Sequence, residues 1–198
     1  MDLSFLKNTR IIFFDIETTG LSKMKCFVRE FGTAEYIDGL PTKGHGSILC
    51  SGGVCPIQAL RVHGITDEQV ADKPSFAKYA SAVAKGFSKG PDENRRIILG
   101  GHNVIKFDIP FVSHVMAQNG HPLVGSTEEG EVEVIDTLPL ARKNLSLPNN
   151  KLGTICEALG IPYGAHRAHG DAQSSWAVFL KIVELSGNSN LSDYISKV

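Results

Sequence analysis

Cysteine is scarce in this sequence, tryptophan occurs once, and neither sign of charge is in surplus. Of the four cysteines, Cys26, Cys50, Cys55 and Cys156, only Cys50 and Cys55 are close, and their spacing is not that of a zinc ligand set. Free thiols are expected, with neither a disulfide scaffold nor a zinc-knit fold. No apolar run is long enough to span a bilayer, and no charged-then-apolar leader opens the chain. The reading is a soluble, intracellular protein of open compartment, with no membrane partner. Lys and Arg number 20 against 21 Asp and Glu, which disfavours a broad electrostatic grip on duplex nucleic acid. A nucleic-acid substrate stays open, because bound metals would add local positive charge.

What is present suits one core. Hydrophobic residues make up 42% of 198, and residues 1–198 read as a single domain. Ile11 to Ile16 is a continuous apolar run rich in β-branched and aromatic residues, which predicts a buried central strand. Lys25 to Asp38 alternates and predicts one or two strands more. Residues 39–56 hold five glycines and two prolines, which predicts turns around one short strand at Ser47–Cys50. Ser75 to Phe87 repeats apolar residues at helical spacing, and Ser88 to Arg96 is a polar connection into a second buried strand, Ile97 to Gly101. Asp108 opens a predicted helix with Gly120 as its stop. Glu131 to Asp136 reads as a strand, followed by two short helices ("TLPLARKNL", "KLGTICEALG") and a longer one ("AQSSWAVFLKIVEL"). The tail, 187–198, is polar and expected to fray. The order predicts an α/β fold, a mixed central sheet flanked by helices.

Asp15 and Glu17 end the first strand. Residues two apart on a strand share a face, so these carboxylates point together and repel unless a divalent cation lies between them. Asp108 stands just past the second buried strand, and Asp171 opens the last long helix with His166 five residues ahead. Singly, either aspartate would serve as a helix cap. Jointly, four carboxylates at element ends offer the oxygen ligands that suit Mg²⁺ or Mn²⁺. Five residues of ideal helix turn through about 140°. Asp171 is therefore placed in a first turn and His166 on the loop before it.

The segments "FDIETTG", "HNVIKFDIPF" and "HRAHGD" resemble, in order, the three motifs of the DEDDh (DnaQ-like) 3′→5′ exonucleases, whose fold is ribonuclease H-like. "HGITDE" and "VIDTLPLAR" are similar to segments in relatives of bacterial proofreading subunits. The resemblance runs from about residue 10 to 185. It implies two divalent cations held by Asp15, Glu17, Asp108 and Asp171, with His166 rather than His169 as general base. It also implies substrate contacts from Thr18, Thr19, Gly20, Leu21, Asn103 and Phe107 to the last nucleotides of a single-stranded DNA or RNA 3′ end. His63 and His102 are read as local hydrogen-bonding residues. Proofreading or DNA repair is favoured over RNA trimming; a non-catalytic binding module and an endonuclease on the same scaffold are the rivals. A homodimer or a separate polymerase partner is compatible with the resemblance. Residues 39–56 and 123–131 are the least family-like and are candidate substrate selectors.

Overall fold

The computed structural model describes residues 2–44, 46–88, 94–121, 123, 131–164 and 166–198. Among these, seven strands form one mixed sheet: β1 (Thr9–Thr18), β2 (Val28–Ile37), β3 (Leu40–Pro41), β4 (Gly46–Leu49), β5 (Arg96–Gly101), β6 (Glu133–Asp136) and β7 (Ser196–Lys197). Their order is β3-β2-β1-β5-β6-β7, with β4 also paired to β2; β1–β5 and β5–β6 are parallel. Helices α1 (Ile57–His63), α2 (Asp67–Val70) and α3 (Ala80–Gly86) lie between β4 and β5 in sequence, and α4 (Asp108–Gln118) links β5 to β6. Helices α5 (Thr137–Asn144), α6 (Leu152–Leu159) and α7 (Ala168–Ser186) precede β7. This is the expected mixed sheet with flanking helices.

Alternation along β1 divides the core. Ile11 and Phe13 pack with Ala141, Ile155 and Phe179 from α5, α6 and α7. Ile12, Phe14 and Ile16 pack instead with Phe31, Phe87 and Val112 on the opposite face. With both faces covered, the strand reads as a continuous apolar run. The period of two then puts Asp15 and Glu17 on the α7 side. On α7 the buried residues Asp171, Ser175, Phe179 and Ile182 follow helical spacing, so the carboxylate of Asp171 belongs to the stripe that faces the sheet.

β1 pairs with β5 only from Thr9 to Phe13. Gly100 on β5 permits this approach, since a Cβ there would lie 2.6 Å from the Phe13 ring. Beyond Phe13 the two strands part, and a crevice opens at their carboxyl ends, the place where open α/β sheets receive ligands.

Several expectations change. Lys25 to Asp38, read as one or two strands, holds one, Val28–Ile37. The helix at Ser75 begins as a 3₁₀ turn, Phe76–Tyr79, before α3. Helix α1 was not foreseen. The tail does not fray: Leu191 and Tyr194 are buried in the core, and Ser196–Lys197 completes the sheet against β6. Its few apolar side chains cover the end of α7, and β6 offers an otherwise unpaired edge. Residues 89–93, His45 and, apart from its two ends, the 123–131 segment lie outside the described residues. Among the described residues no helix is long and apolar enough to cross a membrane.

Candidate active site

Three chain segments meet in the crevice. The ligand atoms of Glu17, His166 and Asp171 lie within 4.8 Å of one another. Asp15 and Asp108 line the same cleft, which has a volume of about 930 Å³. Asp108 is the first residue of α4, and its Oδ1 accepts the Ile16 N–H at 3.0 Å. That bond replaces the ladder β1 loses on parting from β5, and it fixes the second carboxylate beside the first pair. Asp171 sits in the first turn of α7, and His166 precedes the helix on an exposed turn with φ 62°. His169 is turned away: its Nδ1 donates to the Thr33 carbonyl at 2.8 Å.

The turn that carries His166 is fastened to β2. The Arg167 guanidinium donates to both oxygens of Glu30, from Nη2 at 2.9 Å and from Nε at 3.2 Å, and the Ala168 N–H adds a bond at 3.1 Å. Glu30 is fully buried; burial alone would raise its pKa, but these donors hold it below the ordinary glutamate value. Gly32, two residues on, allows the contact, because a Cβ there would lie 2.1 Å from the His169 nitrogen. Arg167→Ala is expected to free the His166 turn and lower kcat by about 10- to 100-fold, with KM little changed. Arg167→Lys should recover part of the loss. Equal loss in KM, or none in kcat, would remove Arg167 as a positioning residue; steady-state kinetics decide it.

The carboxylates sit uneasily without a cation. Burial, reinforced by Asp108, Glu17 and Asp171, pushes Asp15 well above the usual carboxylate range. Burial raises Glu17 to about 8, with Asp171 and Glu30 adding repulsion, and raises Asp108 to about 8. Asp171 rises to about 6 through burial, and His166 and the Tyr163 hydroxyl pull against that shift. The Oδ1 of Asp171 is buried with no hydrogen-bond partner. Such an orphaned oxygen among repelling carboxylates fits a divalent cation, and an oxygen-rich set with one imidazole suits Mg²⁺ or Mn²⁺.

Residues 12–179 match the model of the RNase_T family, described as exonucleases. The chain belongs to that exonuclease family. It is 31% identical over 196 residues to the DNA polymerase III subunit epsilon of Pasteurella multocida, covering 93% of this chain and 72% of that protein. The subunit from Haemophilus influenzae is 30% identical over 194 residues, with 93% and 70% covered. Among solved structures, E. coli exonuclease I in complex with a dT13 oligonucleotide superposes with a TM-score of 0.79 at 18% identity. That superposition covers 94% of this chain but 43% of exonuclease I, so the chain spans about two fifths of it. The likeness shows the fold, the ribonuclease H-like sheet and helices.

In this exonuclease a second, apolar cavity of about 510 Å³ adjoins the carboxylates. Thr18, Thr19, Gly20, Leu21 and Phe107 all line it, opposite Pro56, Ala59 and Val62. The Thr18 hydroxyl donates to the Gly20 carbonyl at 2.7 Å, and the Thr19 N–H donates to the Phe27 carbonyl at 2.9 Å, so both are engaged within the turn. Leu21 is 87% exposed at the rim. Phe107 packs on Phe111, with ring centroids 5.6 Å apart, and borders both cavities. Asn103 lines the carboxylate cleft in a left-handed conformation, φ 63°, with its N–H held by Asp136 at 2.8 Å.

Within "HGITDE", the His63 Nδ1 accepts the Ile65 N–H at 3.0 Å, and burial lowers the pKa of the ring. Asp67 pairs with the fully buried Arg29 of β2, which ties α2 to the sheet. The segment is thus a brace. His102 is another, with Nδ1 on Thr137 and Nε2 on the Asn150 carbonyl, each at 2.9 Å. The four cysteines are free. Glu30, Arg167 and Tyr163 escaped the sequence reading. A charged residue inside an apolar strand and an arginine beside His166 were the available signals.

Proposed function

We propose that this chain is a 3′→5′ exonuclease that removes nucleotides from single-stranded or frayed ends and releases nucleoside 5′-monophosphates, with DNA the favoured substrate. The observation that carries this reading is the convergence of Glu17, His166 and Asp171 within 4.8 Å, in a cleft that Asp15 and Asp108 also line. The names of the relatives support DNA: the epsilon subunits belong to DNA polymerase III, and an exonuclease I structure carries dT13. By the same likeness, the partner is a separate polymerase chain.

Asp15, Glu17, Asp108 and Asp171 would hold two divalent cations, Mg²⁺ or Mn²⁺, which when bound supply charge neutralisation at phosphate and a more acidic water. His166, at the exposed mouth of the cleft, takes the proton of the attacking water. The water oxygen bonds to phosphorus as the P–O3′ bond to the preceding nucleotide breaks, and the leaving 3′-oxygen gains a proton from solvent. Phe107 stacks on the terminal base, a contact worth about 1–3 kcal/mol, and Leu21 wedges beside it.

The test uses 5′-labelled single-stranded DNA and RNA of one sequence, in Mg²⁺, in Mn²⁺ and in EDTA. A ladder shortening from the 3′ end, faster on DNA and absent in EDTA, is the expected result. A faster RNA ladder would reassign the substrate to RNA. Cleavage of a circular single strand, or no cleavage of either linear strand, would overturn the reading.

A further inference from the structure

The carboxylate cleft has a wall the metal chemistry does not use. Arg142 on α5 and Lys151 at the start of α6 line it on one side, and Arg61 on α1 lines it as well. All three side chains are exposed, and none makes an ion pair with a described residue. Elsewhere arginines pair readily: Arg10 with Glu35, Arg29 with Asp67, Arg96 with Glu133 and Arg167 with Glu30. In a cleft also lined by four carboxylates, three cations without a carboxylate partner among the described residues leave their charge available to something else.

The wall is also held in place. Asn149 Oδ1 accepts the Lys151 N–H at 3.1 Å and the Thr154 hydroxyl at 2.9 Å, which fixes the turn that carries Lys151. The next carbonyl, Asn150 O, accepts from His102 at the end of β5, and His102 also bonds Thr137 at the start of α5. The histidine therefore braces both cationic helices to the strand that leads to Asp108. Two divalent cations would neutralise the four carboxylates and leave the three basic groups uncompensated. A ligand that meets both parts of the cleft is a polyanion with regularly spaced charges.

We propose that Arg142 and Lys151, with Arg61, form a phosphate track that holds the strand on the 5′ side of the scissile linkage. The proposal rests on the exonuclease reading and deepens it. The apolar cavity takes the terminal base, the carboxylates face the scissile phosphate, and the track takes the phosphates upstream of it. Selectivity for a single strand follows, because the upstream strand must enter the cleft with its backbone against this wall.

The track can be separated from the chemistry with two substrates. The p-nitrophenyl ester of thymidine 5′-monophosphate has a scissile phosphate and no upstream one, whereas a 5′-labelled dT10 has both. Arg142→Ala/Lys151→Ala is expected to lower kcat/KM on dT10 by about 10- to 100-fold, chiefly through KM, and to flatten the salt dependence of binding by about 1.4 in log–log slope. On the nitrophenyl ester the double variant should stay within about twofold of wild type, as a track that meets only upstream phosphates requires. Replacing the upstream linkages of dT10 by neutral methylphosphonates should weaken wild type markedly and the double variant, which keeps only Arg61 of the track, much less. Equal losses on both substrates, or no loss on dT10, would overturn the track. Fluorescence polarisation of dT10 with Ca²⁺ needs no turnover: wild type that binds no better than the double variant also overturns it. Wild type that binds through the track yet cleaves neither substrate would sink the exonuclease reading and leave the track standing.

Discussion

His166→Ala is expected to slow hydrolysis by about 10²–10⁴-fold while leaving the thermal midpoint and the affinity for oligonucleotide near wild type. The side chain is exposed and its backbone stands at φ 62°, so its removal empties no core. A non-glycine residue held in that conformation costs about 1 kcal/mol. His166→Gly should therefore be as slow as His166→Ala and slightly more stable. His169→Ala supplies the contrast. That ring is committed to the Thr33 carbonyl at 2.8 Å, so its loss should cost about 1 kcal/mol of stability and less than tenfold in rate. Single-turnover rates with thermal melts of the three variants check the assignment. A His169→Ala enzyme slower than His166→Ala would reverse it.

The second large effect joins stability to function. Asp15→Asn should abolish turnover, by about 10³-fold or more, and yet stabilise the protein in chelator near pH 8. Wild type holds Glu17 and Asp108 at about 8 and Asp171 at about 6, above the values carboxyls take in an unfolded chain. A carboxyl whose folded pKa is raised contributes stability while it is protonated in both states. That contribution is lost as pH rises from the unfolded value through the folded one. Metal-free wild type should thus weaken steadily between about pH 4 and pH 8. At pH 8, saturating Mn²⁺ should lift its melting midpoint by about 5–10 °C, with a smaller lift at pH 5. Asp15→Asn removes one member of the repelling cluster, so its chelator curve should be flatter and its gain from Mn²⁺ small. Melts across pH in EDTA and in Mn²⁺ measure both. A wild-type midpoint that climbs between pH 5 and pH 8 in EDTA would contradict the charge arrangement.

Such strain is the cost of a site built to receive cations, and the same trade explains why Glu30 differs from its neighbours. It lies directly across the sheet from Glu17, where two like charges oppose each other. Arg167 pairs with Glu30 and offsets only part of the charge on Glu17, which burial still holds at about 8. One glutamate therefore anchors the His166 turn, and the other is left beside Asp171 and His166 in the cleft.

The chain by itself nominated four carboxylates and His166 as site residues and determined the strand and helices that carry the carboxylates. Local signals suffice for both. The period of two that buries Ile11 and Phe13 also aims Asp15 and Glu17, and helical geometry separates His166 from Asp171. Short-range patterns could not tell that Glu30 meets Arg167, 137 residues later, nor that His102 ties Thr137 to Asn150. Nor could they show that Arg61, Arg142 and Lys151 line one cleft, or that Leu191 and Tyr194 dock the tail whose strand closes on β6. Each of these depends on contacts between distant segments. Their free energy exists only after the sheet has brought the partners together, so no window of neighbouring residues contains it.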